Sequence, residues 1–107
     1  MMVTEAIPML LQYGNTVVEK EWHVDEPVPP AYCRLYWVYG GAVTYRDGFT
    51  SCALKPGRLY IFPSSAPYSM RHDPRSPLCC TFLHLDVFPA LVNHLVELDV
   101  DADGILK

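Results

Sequence analysis

The sequence predicts an all-β domain, an antiparallel sandwich or barrel with one helix appended at its C-terminal end. Three observations carry that reading. Six or seven short apolar runs recur at close, even spacing. Ten prolines and six glycines punctuate the chain, many of them between those runs. Only after Pro89 does the apolar period become helical.

The elements follow in order. Thr16 to Val24 is the first strand, with Val18, Trp22 and Val24 on one face and Glu19, Glu21 and His23 on the other. DEPVPPAY follows as a loop, because three prolines in four residues exclude strand interior and helix alike. Cys33 to Tyr39 lacks polar alternation apart from Arg34, so both faces of this strand meet apolar surroundings. Gly40-Gly41 bends the chain and Ala42 to Arg46 continues as strand. Asp47-Gly48 is a two-residue hairpin signal that returns the chain through Phe49 to Leu54. Lys55-Pro56-Gly57 predicts a type II turn, proline presetting the first central dihedral and glycine supplying the positive φ of the second. Leu59 to Phe62, Pro67 to Arg71 and Leu78 to Val87 are further strands. Leu91, Val92, Leu95, Val96 and Leu98 then repeat at helical spacing, which predicts a helix over Ala90 to Leu98.

Composition narrows the function classes. A 107-residue chain, half of it hydrophobic, makes one domain that buries roughly 60–65% of its unfolded surface, and disorder is excluded. Its net charge of −4 argues against a basic face for nucleic acid. Cys33, Cys52, Cys79 and Cys80 include no C-x-x-C pair, and the adjacent pair is strained as a disulfide, so all four read as free thiols in a reducing compartment. The N-terminal stretch carries Glu5 and Pro8 and is neither a signal peptide nor a membrane span, which makes the cytoplasm the expected location.

Candidate chemistry is sparse. His23, His72, His84 and His94 show no metal-ligand spacing; His23, His72 and His94 read as surface residues. His84, on a strand face with large side chains, is either a hydrogen-bonded core histidine or a pocket residue. Cys80 and His84 share a strand face but lie about twice the ~6.5–7 Å spacing of next-but-one neighbours apart, too far for a catalytic dyad. No catalytic residue, metal or cofactor is expected. The tyrosines, methionine, cysteine and histidine of the interior suit either an ordinary core or a pocket for a small organic ligand.

Two stretches resemble cupin motifs. Gly57, five residues, Pro63, then Ser64-Ser65-Ala66-Pro67-Tyr68 is similar to the second cupin motif, G-x5-P-x-G-x2-H, with Ser65 at its glycine and Tyr68 at its metal-binding histidine. Tyr36 to Gly41 looks like the end of the first motif, with Arg34 at its glutamate ligand and no H-x-H before it. RLYWVYGGAVTYRDG, LKPGRLYIFPSSAPYSM and CTFLHLDVFP, in that order, resemble the N-terminal regulatory domain of AraC-type transcription regulators, over about Trp22 to Pro89.

That resemblance implies a double-stranded β-helix, a cupin-like jelly-roll barrel, spanning residues 16–89. It implies an N-terminal arm over 1–15 that closes on the barrel mouth, and over 90–107 the start of helices that make a homodimer. It further implies a DNA-binding unit outside this chain, a small polar effector such as a sugar inside the barrel, and no membrane partner. By strand parity the resemblance assigns effector contacts to Arg34, Tyr36, Val38, Tyr68, Met70, Cys80, Phe82 and His84. Arg34 is then either an anchor for a carboxylate or polyol, or one side of a salt bridge to an acidic residue. A metal-independent cupin enzyme and a dimerisation-only domain are the competing expectations.

Overall fold

The computed structural model of the chain describes residues 7–28, 30, 32–88 and 94–99. These residues are all-β. The strands are β1 (Ile7–Val17), β2 (His23–Glu26), β3 (Cys33–Gly40), β4 (Val43–Asp47) and β5 (Ser51–Leu54), then β6 (Arg58–Ile61), β7 (Tyr68–His72), β8 (Cys79–Phe88) and β9 (Val96–Asp99). They form two antiparallel sheets, one of order β1-β8-β3-β6-β9 and one of order β2-β7-β4-β5. No described strand pairs across the two sheets, so neither closes into a barrel by hydrogen bonding.

The core lies between the sheets. The first sheet contributes Tyr36, Val38, Tyr60 and Cys80, and the second Val24, Val43, Tyr45, Leu54 and Met70. Phe62, fully buried just after β6, touches four other rings: Tyr36 at 4.9 Å between centroids, Tyr45 and Tyr68 at 5.7 Å, and Tyr60 at 6.3 Å. Arg34, Tyr36 and Val38 of β3 are buried on its inner face, whereas its other face, expected to meet apolar surroundings too, is only partly covered. Its other face carries Leu35 and Trp37, paired to Ile61 and Leu59 on β6 and to Leu83 and Thr81 on β8. Those side chains are half-exposed, so a second apolar face looks outward from the sheet.

Several expectations need correction. Residues 96–98, expected in a helix, belong to β9, while 90–93 lie outside the described residues. Val96-Glu97-Leu98-Asp99 alternates apolar and acidic, so it fits period 2 as well as period 3.6, and β6 has an open edge to receive it. Glu97 fastens it: Tyr60 Oη donates to its carboxylate at 2.5 Å and Arg58 Nη1 at 3.0 Å, while Arg58 Nε pairs with Asp99 at 3.1 Å. Residues 7–15, expected in an arm, form most of β1 and pair with β8; residues 1–6 lie outside the described residues. The expected first strand is divided by a turn in which Trp22 N–H donates to Glu19 O at 3.0 Å, and Asp25 and Glu26 end β2 rather than begin a loop.

The turns show which local signals hold. Gly57 has φ +82°, as the Pro-Gly turn requires. Gly41 has φ +110° and lies so close to Pro77 and Leu78 that a Cβ there would be 2.5 Å from the Pro77 carbonyl oxygen. The β4–β5 hairpin turns one residue later than predicted. Asp47 precedes the two-residue loop Gly48-Phe49 and caps it, its Oδ1 accepting from Phe49 N–H at 2.7 Å and Thr50 N–H at 2.8 Å.

Candidate functional site

β3 turns Arg34 inward, and this residue, only 7% exposed, has its guanidinium surrounded by partners from four different segments. Its Nη1 donates to Tyr68 Oη on β7 at 2.5 Å and to Glu26 Oε2 at the end of β2 at 3.3 Å. Its Nη2 donates to Tyr32 Oη at 2.8 Å, and its Nε to His84 Nε2 on β8 at 3.3 Å. Tyr32 Oη donates in turn to Glu26 Oε2 at 3.3 Å. The guanidinium carbon also lies 5.5 Å from the Tyr32 ring centre and 5.8 Å from that of Tyr68, within cation–π range.

This arrangement settles a tautomer. Arginine Nε can only donate, so His84 Nε2 must be unprotonated, and the neutral ring carries its proton on Nδ1. Burial lowers the His84 pKa, and the Arg34 charge lowers it further. Burial raises the Tyr68 phenol, with the Arg34 charge opposing, so both groups stay neutral around the one cation. The acidic partner that the salt-bridge reading of Arg34 calls for is Glu26. Tyr68 and Arg34, at the two positions that resemble cupin ligand slots, are in direct contact.

Against this cluster lies an open cavity of about 550 Å³. Tyr36, Cys80, Phe82 and His84 form one wall, and the segment from Thr16 to His23 the other, with Glu19, Glu21 and Trp22. The two walls meet because β1 runs beside β8: Gly14 pairs with Phe82, and a Cβ on Gly14 would stand 3.2 Å from that ring. Burial, with Cys79 next to it, pushes the Cys80 thiol up to about 12, which makes it a small apolar wall atom and no nucleophile. Burial likewise raises the Tyr36 phenol.

The eight residues assigned by parity therefore divide into three groups. Tyr36, Cys80, Phe82 and His84 line the cavity. Arg34 and Tyr68 form the hydrogen-bonded cluster beside it, bridged to the cavity by His84. Val38 and Met70 are fully buried in the core and do not line the cavity. Sequence reasoning missed Tyr32 and Glu26, which it had left in a proline loop, and the cavity wall from Thr16 to His23. Only the pairing of β2 with β7 and of β1 with β8 brings them there, and no local signal encodes those pairings.

Of the histidines expected at the surface, His23 and His94 are exposed, whereas His72 is half-buried. Its Nε2 donates to Lys20 O at 2.9 Å, and its ring meets Trp22 edge-on at 5.4 Å. All four cysteines are free. Among the described residues, no three His, Cys, Asp or Glu side chains converge as a metal site, and no helix is long and apolar enough to cross a membrane. No protein-family model matches the chain, and no curated protein matches its sequence.

Proposed function

We propose that this chain is a cupin-like sensor domain that binds a small metabolite in the cavity beside Arg34, and that it serves an AraC-type transcription regulator. One observation carries the ligand reading: Arg34, Tyr68 and His84, from three strands in two sheets, converge beside a cavity that Tyr36, Cys80, Phe82 and His84 line. The order of the three resembling stretches supports the family, and dimerisation, an attached DNA-binding unit and a sugar-like effector rest on that resemblance alone. In this reading the jelly-roll framework is retained while its metal chemistry is replaced. Tyr68 and Arg34 occupy ligand positions and satisfy each other by hydrogen bonding. A ligand in the cavity touches β1, the β1–β2 turn and β8 together, so its binding energy can favour one arrangement of these elements over another.

The test is a thermal-shift and NMR titration against a metabolite set of sugars, polyols, amines and carboxylates. The expected result is a ligand that shifts the Trp22 indole signal and raises Tm, with both effects reduced in Tyr36→Phe. A set in which no compound moves Trp22 defeats the reading. One observation favours dimerisation as a second role: the outward apolar face of the first sheet, with Leu35, Trp37, Leu59 and Ile61 half-exposed. Sedimentation equilibrium of Trp37→Glu against the parent chain decides it, a dimer that persists in the variant being the negative result.

A further inference from the structure

The walls of the cavity differ in what charge they can accept. Its mouth carries two carboxylates, Glu19 and Glu21, both exposed, and no lysine or arginine side chain lines it among the described residues. Seven of the eight lysines and arginines are described; the other is Lys107. Lys20 stands between the two glutamates in sequence but does not line the cavity. Arg34, which acts electrostatically on the cavity-lining Tyr36, does not itself line the cavity and already donates to Tyr68, Tyr32, Glu26 and His84. An anion placed in the cavity would meet two carboxylates and no lysine or arginine, while the one histidine besides His84 in its lining, His23, turns Nδ1 to Glu21 O at 3.1 Å and faces Asp25 at 3.8 Å.

A second observation points to a ligand. Tyr36 is 5% exposed and lines the cavity, and its hydroxyl makes no hydrogen bond among the described residues. Among those residues the one fully enclosed side-chain nitrogen or oxygen without a partner is His72 Nδ1, so the Tyr36 hydroxyl must border open space, and the cavity supplies it. A nearly buried phenol whose hydroxyl has no hydrogen-bond partner among the described residues is thus offered to whatever fills the cavity. Trp22 and Phe82 add two more ring surfaces, and the proton on His84 Nδ1 adds a neutral donor beside them.

We infer that the cavity takes an organic cation with an apolar body, an amine or quaternary ammonium carrying a hydroxyl or similar polar group. The cationic head would sit between the glutamates and the faces of the aromatic rings, where desolvated cation–π attraction is strongest. The apolar body would lie against Val18, Phe82 and Cys80, and the polar group would reach the Tyr36 hydroxyl. This deepens the sensor reading and rests on it, replacing the sugar-like effector that the resemblance implies by a charged one.

Three isosteric probes separate the possibilities: choline, neutral 3,3-dimethylbutan-1-ol and anionic 3,3-dimethylbutanoate, each titrated by NMR at low salt with the Trp22 indole as reporter. The expected order of affinity is choline above the alcohol above the carboxylate. The double variant Glu19→Gln/Glu21→Gln, both at exposed positions, should fold normally, weaken choline about tenfold and leave the alcohol unchanged. Binding of the alcohol, the carboxylate or a sugar such as arabinose as tightly as choline, with Trp22 still responding, overturns the charge assignment and leaves the sensor reading standing. Failure of all four probes to move Trp22 overturns the assignment, and failure of the wider metabolite set as well removes the sensor reading with it.

Discussion

Replacing Arg34 by methionine removes the cation and keeps most of the aliphatic stem, which isolates the worth of the cluster from that of packing. Four hydrogen bonds disappear, and Tyr68 Oη, Tyr32 Oη, His84 Nε2 and the Glu26 carboxylate each lose a donor. Hydrogen bonds to a charged group are worth about 1.5–3 kcal/mol each, but four that share one guanidinium do not add. Breaking a buried ion pair from one side costs about 3–5 kcal/mol, and the Glu26 side chain, 21% exposed, can recover some hydration, which favours the lower end. The expected loss is therefore about 3 kcal/mol. With a urea slope of about 1.5 kcal/mol/M, the unfolding midpoint should fall by about 2 M at unchanged slope. Adding Glu26→Gln to Arg34→Met removes the stranded carboxylate and should restore about 1 kcal/mol relative to the sum of the single effects. A midpoint shift below about 0.3 M, or strictly additive single and double variants, would refute the argument. Arg34 would then be a free group held for a ligand.

Other substitutions probe the remaining devices. His84 titrates lower in the folded state than in the unfolded chain, so its contribution is present above the ordinary value of 6.5 and is lost as pH falls below it. Stability measured from pH 7.5 down to 5 should decline, and His84→Gln should flatten that slope; an identical slope in the variant counts against the tautomer argument. Gly41→Ala combines φ +110° with a Cβ 2.5 Å from the Pro77 oxygen and should cost at least about 2 kcal/mol or prevent folding. Gly57→Ala meets nothing within 4 Å, so only its φ of +82° opposes the change, at about 1 kcal/mol, and urea midpoints should rank the two accordingly. Phe62→Ala removes the ring that four others touch and should cost about 3–5 kcal/mol by urea unfolding; a loss below about 1 kcal/mol would mean the aromatic cluster is not a cooperative unit.

What could be read from sequence was local or of period 2. Strand parity, anchored by the resemblance, put Arg34, Tyr36, Val38 and Cys80 inside, and Pro56-Gly57 declared its turn outright. Proline and glycine fix φ by covalent geometry, and a strand's two faces are fixed by its pleat, so neither needs knowledge of the rest of the chain. Val96 to Asp99 failed because four residues satisfy two periods, and the deciding factor was the free edge of β6, a tertiary fact. The Asp47 turn slipped by one residue because its side chain could serve the loop from outside it, an option that Asp-Gly statistics do not weigh. The candidate site was half visible for the same reason. Tyr36, Cys80, Phe82 and His84 follow from parity, whereas Glu26, Tyr32 and Trp22 reach the site through strand pairings.

The place of β1 bears on how this chain is made. Among the described strands its partner is β8 alone, and six other strands lie between them in sequence. During synthesis β1 emerges six strands ahead of its partner and must wait, unpaired, until β8 has followed. Closing so distant a pair costs chain entropy before any contact repays it, which slows folding and leaves an apolar strand open to wrong partners meanwhile. The second cavity wall waits equally, because Cys80, Phe82 and His84 all lie on β8. A truncated nascent chain therefore has no cavity to fill, and occupancy by a ligand would certify a finished domain.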